Sequence, residues 1–227
     1  MKTLIYVPII HTSADLGSLA KEVTKRGIAD LGEDFWEKHR KTVEVFWNTI
    51  SNYFDSMMDV TGMKIYQDGM VAEAGMGQEI VTEIAKLGSK NYEIISKLLK
   101  KGATLVKTED FNLVKEERDK LLKITQAKGI VNKIIGFAKY KLTKNRLLNK
   151  RDKFIAKKID ETLARGDRGV LFIGASHNIK KRLPKNILIR EIKNFQKVRE
   201  YQKLLPFYNR DKERFKELSN YLTLPID

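Results

Sequence analysis

Short apolar runs rich in β-branched residues punctuate the chain, and four of them stop at polar side chains. They are Leu4–Ile10 before His11, Met63–Tyr66 before Gln67, Asp68 and Gly69, Ala103–Val106 before Thr108, Glu109 and Asp110, and Gly169–Ile173 before Gly174, Ala175, Ser176 and His177. A fifth run, Ile187–Ile189, follows Pro184. Unbroken runs of this length predict strands buried on both faces, the signature of a parallel sheet covered by helices.

The intervals carry apolar residues at spacings of three and four. Leu16–Ala29 and Asp34–Met58 read as helices, the second with a stripe of Phe35, Trp36, Val43, Phe46, Trp47, Ile50 and Phe54. Gln78–Leu87 and Tyr92–Lys100 follow, with Gly88 and Ser89 between them as a stop and a new cap. Phe111–Ile124, Ile130–Leu142, Asn145–Arg165, Asn194–Leu205 and Asp211–Tyr221 complete the helical pattern. Strands alternating with helices predict an α/β fold: a largely parallel central sheet of about five strands, flanked by helices, with a helical segment inserted before the last strand that ends in G-x-x-H. Residues 1–227 read as one α/β domain, within which 111–148 could form a small helical sub-domain.

Composition narrows the class. The chain has 42% hydrophobic and 32% charged residues, ordinary for a globular protein, and no cysteine, which removes disulfides, thiolate metal sites and Cys nucleophiles. No apolar run reaches about eighteen residues, the length of a membrane span. The N-terminal run superficially resembles a leader, but Pro8 interrupts it and His11 follows it, so it reads as a strand and the cytoplasm is the default expectation. Net charge is lopsided. Residues 1–110 carry 14 Lys/Arg against 16 Asp/Glu, and residues 111–227 carry 30 against 13. The basic half suggests an anionic ligand or nucleic acid; a solvated lysine-rich surface explains the same excess equally well.

Parallel strands put their carboxyl ends on one rim, where open α/β sheets bind ligands. His11, Asp68, Glu109 and His177 each follow a different strand, so the fold can converge them into one polar site, and they are the candidate catalytic residues. Each alone has an ordinary explanation. A histidine after a strand can bond a loop, Asp68-Gly69 is a common turn, acidic residues start helices, and Arg151-Asp152 could be a surface pair of little worth. Their coincidence carries the argument. His39 lies on a polar helical face and receives no role. Gly75-Met76-Gly77 is only a fragment of a dinucleotide motif, and P-loop, G-x-S-x-G and H-E-x-x-H patterns are missing.

The stretch from Leu147 through Arg151, Asp152, Ile155 and Ala156, then Gly169 to Gly174 and His177, resembles the C-terminal signature of the Tiki/TraB/ChaN/erythromycin-esterase-like superfamily: an "RD…A" helix, an apolar strand and G-x-x-H. The superfamily pattern also opens with a strand ending in G-x-x-H and has an acidic residue after its second strand. Here Pro8-Ile9-Ile10-His11 keeps the histidine without the glycine, and Asp68 stands where Glu is typical. The likeness is strongest over 147–191. Its members include metal-dependent peptidases, macrolide-lactone esterases and haem-binding lipoproteins, so it implies a fold and a site more than a substrate.

Two functions follow as expectations. The first is hydrolysis of a peptide, ester or lactone-type bond in a peptide or small-molecule substrate, run by the strand-end histidines and carboxylates. A divalent metal ion could assist, with His11, His177 and Asp68 as its ligands. Arg151, Lys180 and Arg182 would then bind an anionic substrate group. The second is binding of nucleic acid or another anionic ligand without catalysis, through Lys139–Arg151 and Lys180–Arg182. Both could hold in one protein. The lysine-bearing apolar face of Ile130–Leu142 could also lie on a membrane surface, although core packing explains it more simply.

Overall fold

The computed structural model describes residues 1–15, 20–126 and 130–226, and the side chains of 1–15, 20–25, 27–123 and 143–226. Five parallel strands, β1 (Lys2–Ile9), β2 (Lys64–Gln67), β3 (Thr104–Val106), β4 (Arg168–Gly174) and β5 (Ile187–Glu191), form one sheet in the order β3-β2-β4-β1-β5. Among the described residues, eight α-helices connect and cover them: α1 (Ala20–Leu31), α2 (Glu33–Asp55), α3 (Ala74–Lys86), α4 (Lys90–Lys100), α5 (Phe111–Gln126), α6 (Ile130–Thr162), α7 (Phe195–Leu204) and α8 (Lys212–Thr223). The α/β expectation and all five strands stand. The predicted helix start at Leu16 lies outside the described residues.

The apolar runs are unbroken because both faces of the sheet are covered. Phe172 meets Phe54 of α2 at 5.8 Å between ring centroids. On the other face, a Cβ at Gly169 would crowd Tyr66 at 3.1 Å and Leu163, just after α6, at 3.2 Å, so glycine lets the strand pack closely there. Tyr66 Oη and Thr162 Oγ1, 2.8 Å apart, tie α6 to β2. Among the described residues, no helix is long and apolar enough to cross a membrane.

One element differs from expectation. The pattern predicts two helices, 130–142 and 145–165, where the structure has a single α6. Thr143 and Lys144, at the expected break, are neither glycine nor proline, so nothing stops backbone hydrogen bonding there. Residues 111–126 and 130–148 are helical, and α6 continues beyond them into the stretch that carries Arg151 and Asp152. Side chains of 124–142, which include the expected membrane-surface face and Lys139, Tyr140 and Lys141, lie outside the described residues.

The topology defines the crevice. From β2 the chain leaves toward β3 at one edge, and from the adjacent β4 it leaves toward β5 at the other. Neighbouring strands whose connections diverge open a gap at their carboxyl ends. Asp68 follows β2 at this gap, and Gly174 ends β4.

Candidate active site

The gap is filled by a network of carboxylates around two cations. Gly69, at φ 80°, turns the chain after Asp68 so that Met70 N–H donates to Gln67 O at 3.0 Å. Met70 O then accepts the backbone N–H groups of both Thr108 and Glu109 at 2.9 Å, which holds Glu109 beside Asp68. Beyond β4, Gly174 brings its N–H within 3.0 Å of Asp68 Oδ2. A Cβ at Gly174 would itself lie 3.0 Å from that oxygen, so this close approach requires glycine. Asp68, Glu109 and His177 thus converge, with one potential ligand atom from each lying within 4.8 Å of the others.

Helix α6 supplies the rest. Leu147, Arg151, Ile155 and Ile159 are buried at core-facing spacings, and Asp152 is buried beside them. Arg151 Nε donates to Glu109 Oε1 and Oε2 at 3.1 and 3.2 Å. Its Nη2 donates to Asp68 Oδ1 at 2.6 Å and to Glu109, and its Nη1 donates to Glu117. The planar guanidinium is suited to bind several carboxylates at once. Asp152 grips the next loop, with Oδ1 at 2.6 Å from His177 Nδ1 and Oδ2 accepting the Asn178 N–H at 2.9 Å. The other ring nitrogen, His177 Nε2, lies 3.3 Å from Asp68 Oδ2.

These contacts set the charges. Burial opposes protonation of His177, but the Asp68 charge and the hydrogen bonds to Asp152 and Asp68 outweigh it and raise its pKa to about 9. Burial equally opposes ionisation of Asp68, yet the charge and hydrogen bond of His177, the Arg151 charge and the Gly174 N–H hold its carboxyl far below the ordinary range. Glu109 goes the other way: burial raises its pKa, and the hydrogen bond and charge of Arg151 only partly offset this. Two neighbouring carboxylates pushed in opposite directions are a pattern found where acid–base roles are divided. Asp68 keeps 15% of its side chain exposed, whereas Glu109 is fully enclosed.

A divalent ion is not the simplest occupant of this cluster. Arg151 already donates to both Asp68 and Glu109, and a protonated His177 offers no lone pair. His11, expected with His177 and Asp68 as a metal ligand, is not in the cluster. It is exposed, with Nδ1 4.0 Å from Asp15 Oδ2, at the mouth of a cleft of ≈ 450 Å³ lined also by Trp36 and His39. His39 Nδ1 lies 2.7 Å from Tyr201 Oη, and burial lowers its pKa to about 4, leaving the ring neutral.

The expected anion-binding residues separate too. The donors of Arg151 are directed at protein carboxylates. Lys180 Nζ sits 4.8 Å from the centre of the Tyr6 ring and pairs with Glu191. Arg182 remains near the surface, donating to Asn149 Oδ1 at 2.8 Å.

Residue patterns missed three participants. Arg151-Asp152 was read as a possible surface pair, although a core-facing position of Asp152 on α6 was the available signal, and Glu117 was not singled out. Tyr6 looked like another apolar strand residue. Its hydroxyl is buried with no hydrogen-bond partner among the described residues. Burial, reinforced by the Asp152 charge, holds its pKa well above the usual phenol range.

Comparison of the chain with protein families, with characterised proteins and with solved structures found no match.

Proposed function

We propose that this protein is a hydrolase of a peptide, ester or lactone-type bond, with His177 as general acid and Asp68 as the residue that orients the attacking water. The observation that carries the reading is the unequal grip on the His177 ring: 2.6 Å to Asp152 on one side and 3.3 Å to Asp68 on the other. The short contact fixes the ring, and the long one leaves Nε2–H as the proton most easily redirected to a substrate atom. Water held by Asp68 attacks the carbonyl carbon as His177 protonates the leaving oxygen or nitrogen. The proton shed by the water is then taken up by Nε2, which has just lost its own, and the starting state is restored. Arg151 keeps Asp68 ionised and in place, so the permanent cation of the site is a side chain.

The likeness of the α6–β4 stretch to the Tiki/TraB/ChaN/erythromycin-esterase-like superfamily supports the same reading, and membership of it is part of the proposal. The test is a panel of activated esters, lactones and quenched peptides, each with and without divalent metals. Turnover of one class that His177→Gln abolishes while the thermal transition persists is the expected result. Wild-type protein inert toward all three classes, or folded His177→Gln at full activity, overturns the proposal.

A further inference from the structure

Helix α6 separates its charges by face. Arg151 and Asp152 point into the molecule, and Arg146, Lys150, Lys153 and Lys157 recur at spacings of four, three and four on the exposed side. Such spacings align side chains in one stripe. Like charges at these spacings repel and weaken a helix, so local stability gives no reason for the arrangement. A second source of charge meets it. The turn Ile179–Arg182, after β4, brings Lys181 and Arg182 beside Lys153 and Lys157, and the four line a groove of ≈ 460 Å³. The carboxylate in that groove, Asp160, is 3.0 Å from Lys2 Nζ and is already paired. Lys157 has Glu161 at 3.6 Å, a mostly exposed pair of little worth. Arg182 lines the groove with its guanidinium held by Asn149 Oδ1 at 2.8 Å and by Asp152 Oδ2, 4.0 Å from Nε. Lys150, Lys153 and Lys157 also border a neighbouring depression, so the basic strip is continuous.

We infer that this strip is a docking surface for the phosphate backbone of nucleic acid. Eleven residues of helix span about 16 Å, over which one strand of a duplex presents about five phosphates. The basic side chains run in a line along α6 and beside the Ile179–Arg182 turn, an arrangement that matches the line of charges on a nucleic-acid strand. Phe154, which borders the strip, is half-buried and has Lys158 Nζ 5.8 Å from its ring centre, so among the described residues no free stacking platform adjoins. Recognition is therefore of the backbone and independent of sequence. This surface lies outside the His177 site, and its binding does not depend on hydrolysis.

Fluorescence anisotropy with a labelled duplex of mixed sequence tests the inference across a salt series. The logarithm of affinity should fall linearly with the logarithm of salt, with a slope of about −4 for four to five phosphate contacts. Lys153→Gln with Lys157→Gln should lower the magnitude of that slope by about 2. Lys203→Gln with Lys212→Gln, exposed lysines elsewhere, should leave it unchanged, and thermal unfolding checks that both double variants are folded. Equal binding by wild type and the Lys153/Lys157 variant, binding with no salt dependence, or capture by phosphatidylserine vesicles without DNA binding overturns it.

Discussion

Asp152 holds His177 and the residue after it at once, accepting from the ring at Nδ1 and from the Asn178 backbone N–H with its two oxygens. One carboxylate therefore sets the ring's orientation, its protonated nitrogen and the course of the loop that carries it. In the proposed hydrolase this grip orients the ring as general acid.

The raised pKa of His177 makes a prediction about stability. A group whose folded pKa exceeds its unfolded value stabilises fully below the unfolded value, here 6.5, and the contribution is lost as pH rises through about 9. For a ring this deeply enclosed the loss is about 3 kcal/mol. Lys193, whose pKa burial lowers to about 8, acts in the opposite sense. The useful quantity is therefore the difference between wild type and His177→Gln in denaturant unfolding. That difference should shrink steadily between about pH 6.5 and 9.5. A constant difference means that His177 is neutral in the folded state.

Arg151 should be the most costly single charge to remove. Arg151→Met leaves Asp68, Glu109 and Glu117 without their shared guanidinium, and breaking a buried pair costs about 3–5 kcal/mol. Adding Glu109→Gln removes one stranded carboxylate and should return at least about 1 kcal/mol relative to additivity. Arg151→Lys keeps the charge but loses the fork, so it should recover only part of the stability. Urea unfolding of these variants and of Glu109→Gln alone measures this. Additive losses would show that the network is not coupled.

How much of this was legible follows from where each residue sits. Strand ends announce themselves because an apolar run must stop where the sheet meets solvent. Asp68, Glu109 and His177 were therefore found, and parallel topology brings them together. His11 met the same rule but follows β1, one strand beyond β4 in the sheet, and its loop turns to Asp15 and Trp36. Asp152 was misjudged because acid next to arginine on a helix normally faces water. Its register with the buried Leu147, Ile155, Ala156 and Ile159 shows that it does not. Glu117, reached from α5, required the packing of α5 on α6, which no local pattern encodes.

Added Zn²⁺ or Mn²⁺ should leave the thermal midpoint unchanged. An ion that binds the folded state raises the midpoint by mass action. Here it would have to displace Arg151 from Asp68 and Glu109 and take a proton from His177. Differential scanning fluorimetry across a metal titration is sufficient. A saturable upward shift that Asp68→Asn abolishes would show that Arg151 yields to a metal.

Tyr6→Phe separates a structural hydroxyl from a working one. The ring packs edge-on against Phe195 at 5.2 Å and under Lys180, contacts that phenylalanine keeps. The hydroxyl has no hydrogen-bond partner among the described residues, and an unsatisfied buried group costs about 1–3 kcal/mol. Removing it should therefore leave stability unchanged or raise it, an unusual outcome for a change in the centre of a sheet. Its place among the charges of Asp152 and Asp68 gives a second expectation. If the hydroxyl donates to substrate at the His177 site, turnover should fall about a hundredfold or less, within the range for one hydrogen-bonding group, while the thermal midpoint holds. Destabilisation by Tyr6→Phe would mean that the hydroxyl is satisfied in solution and serves the fold.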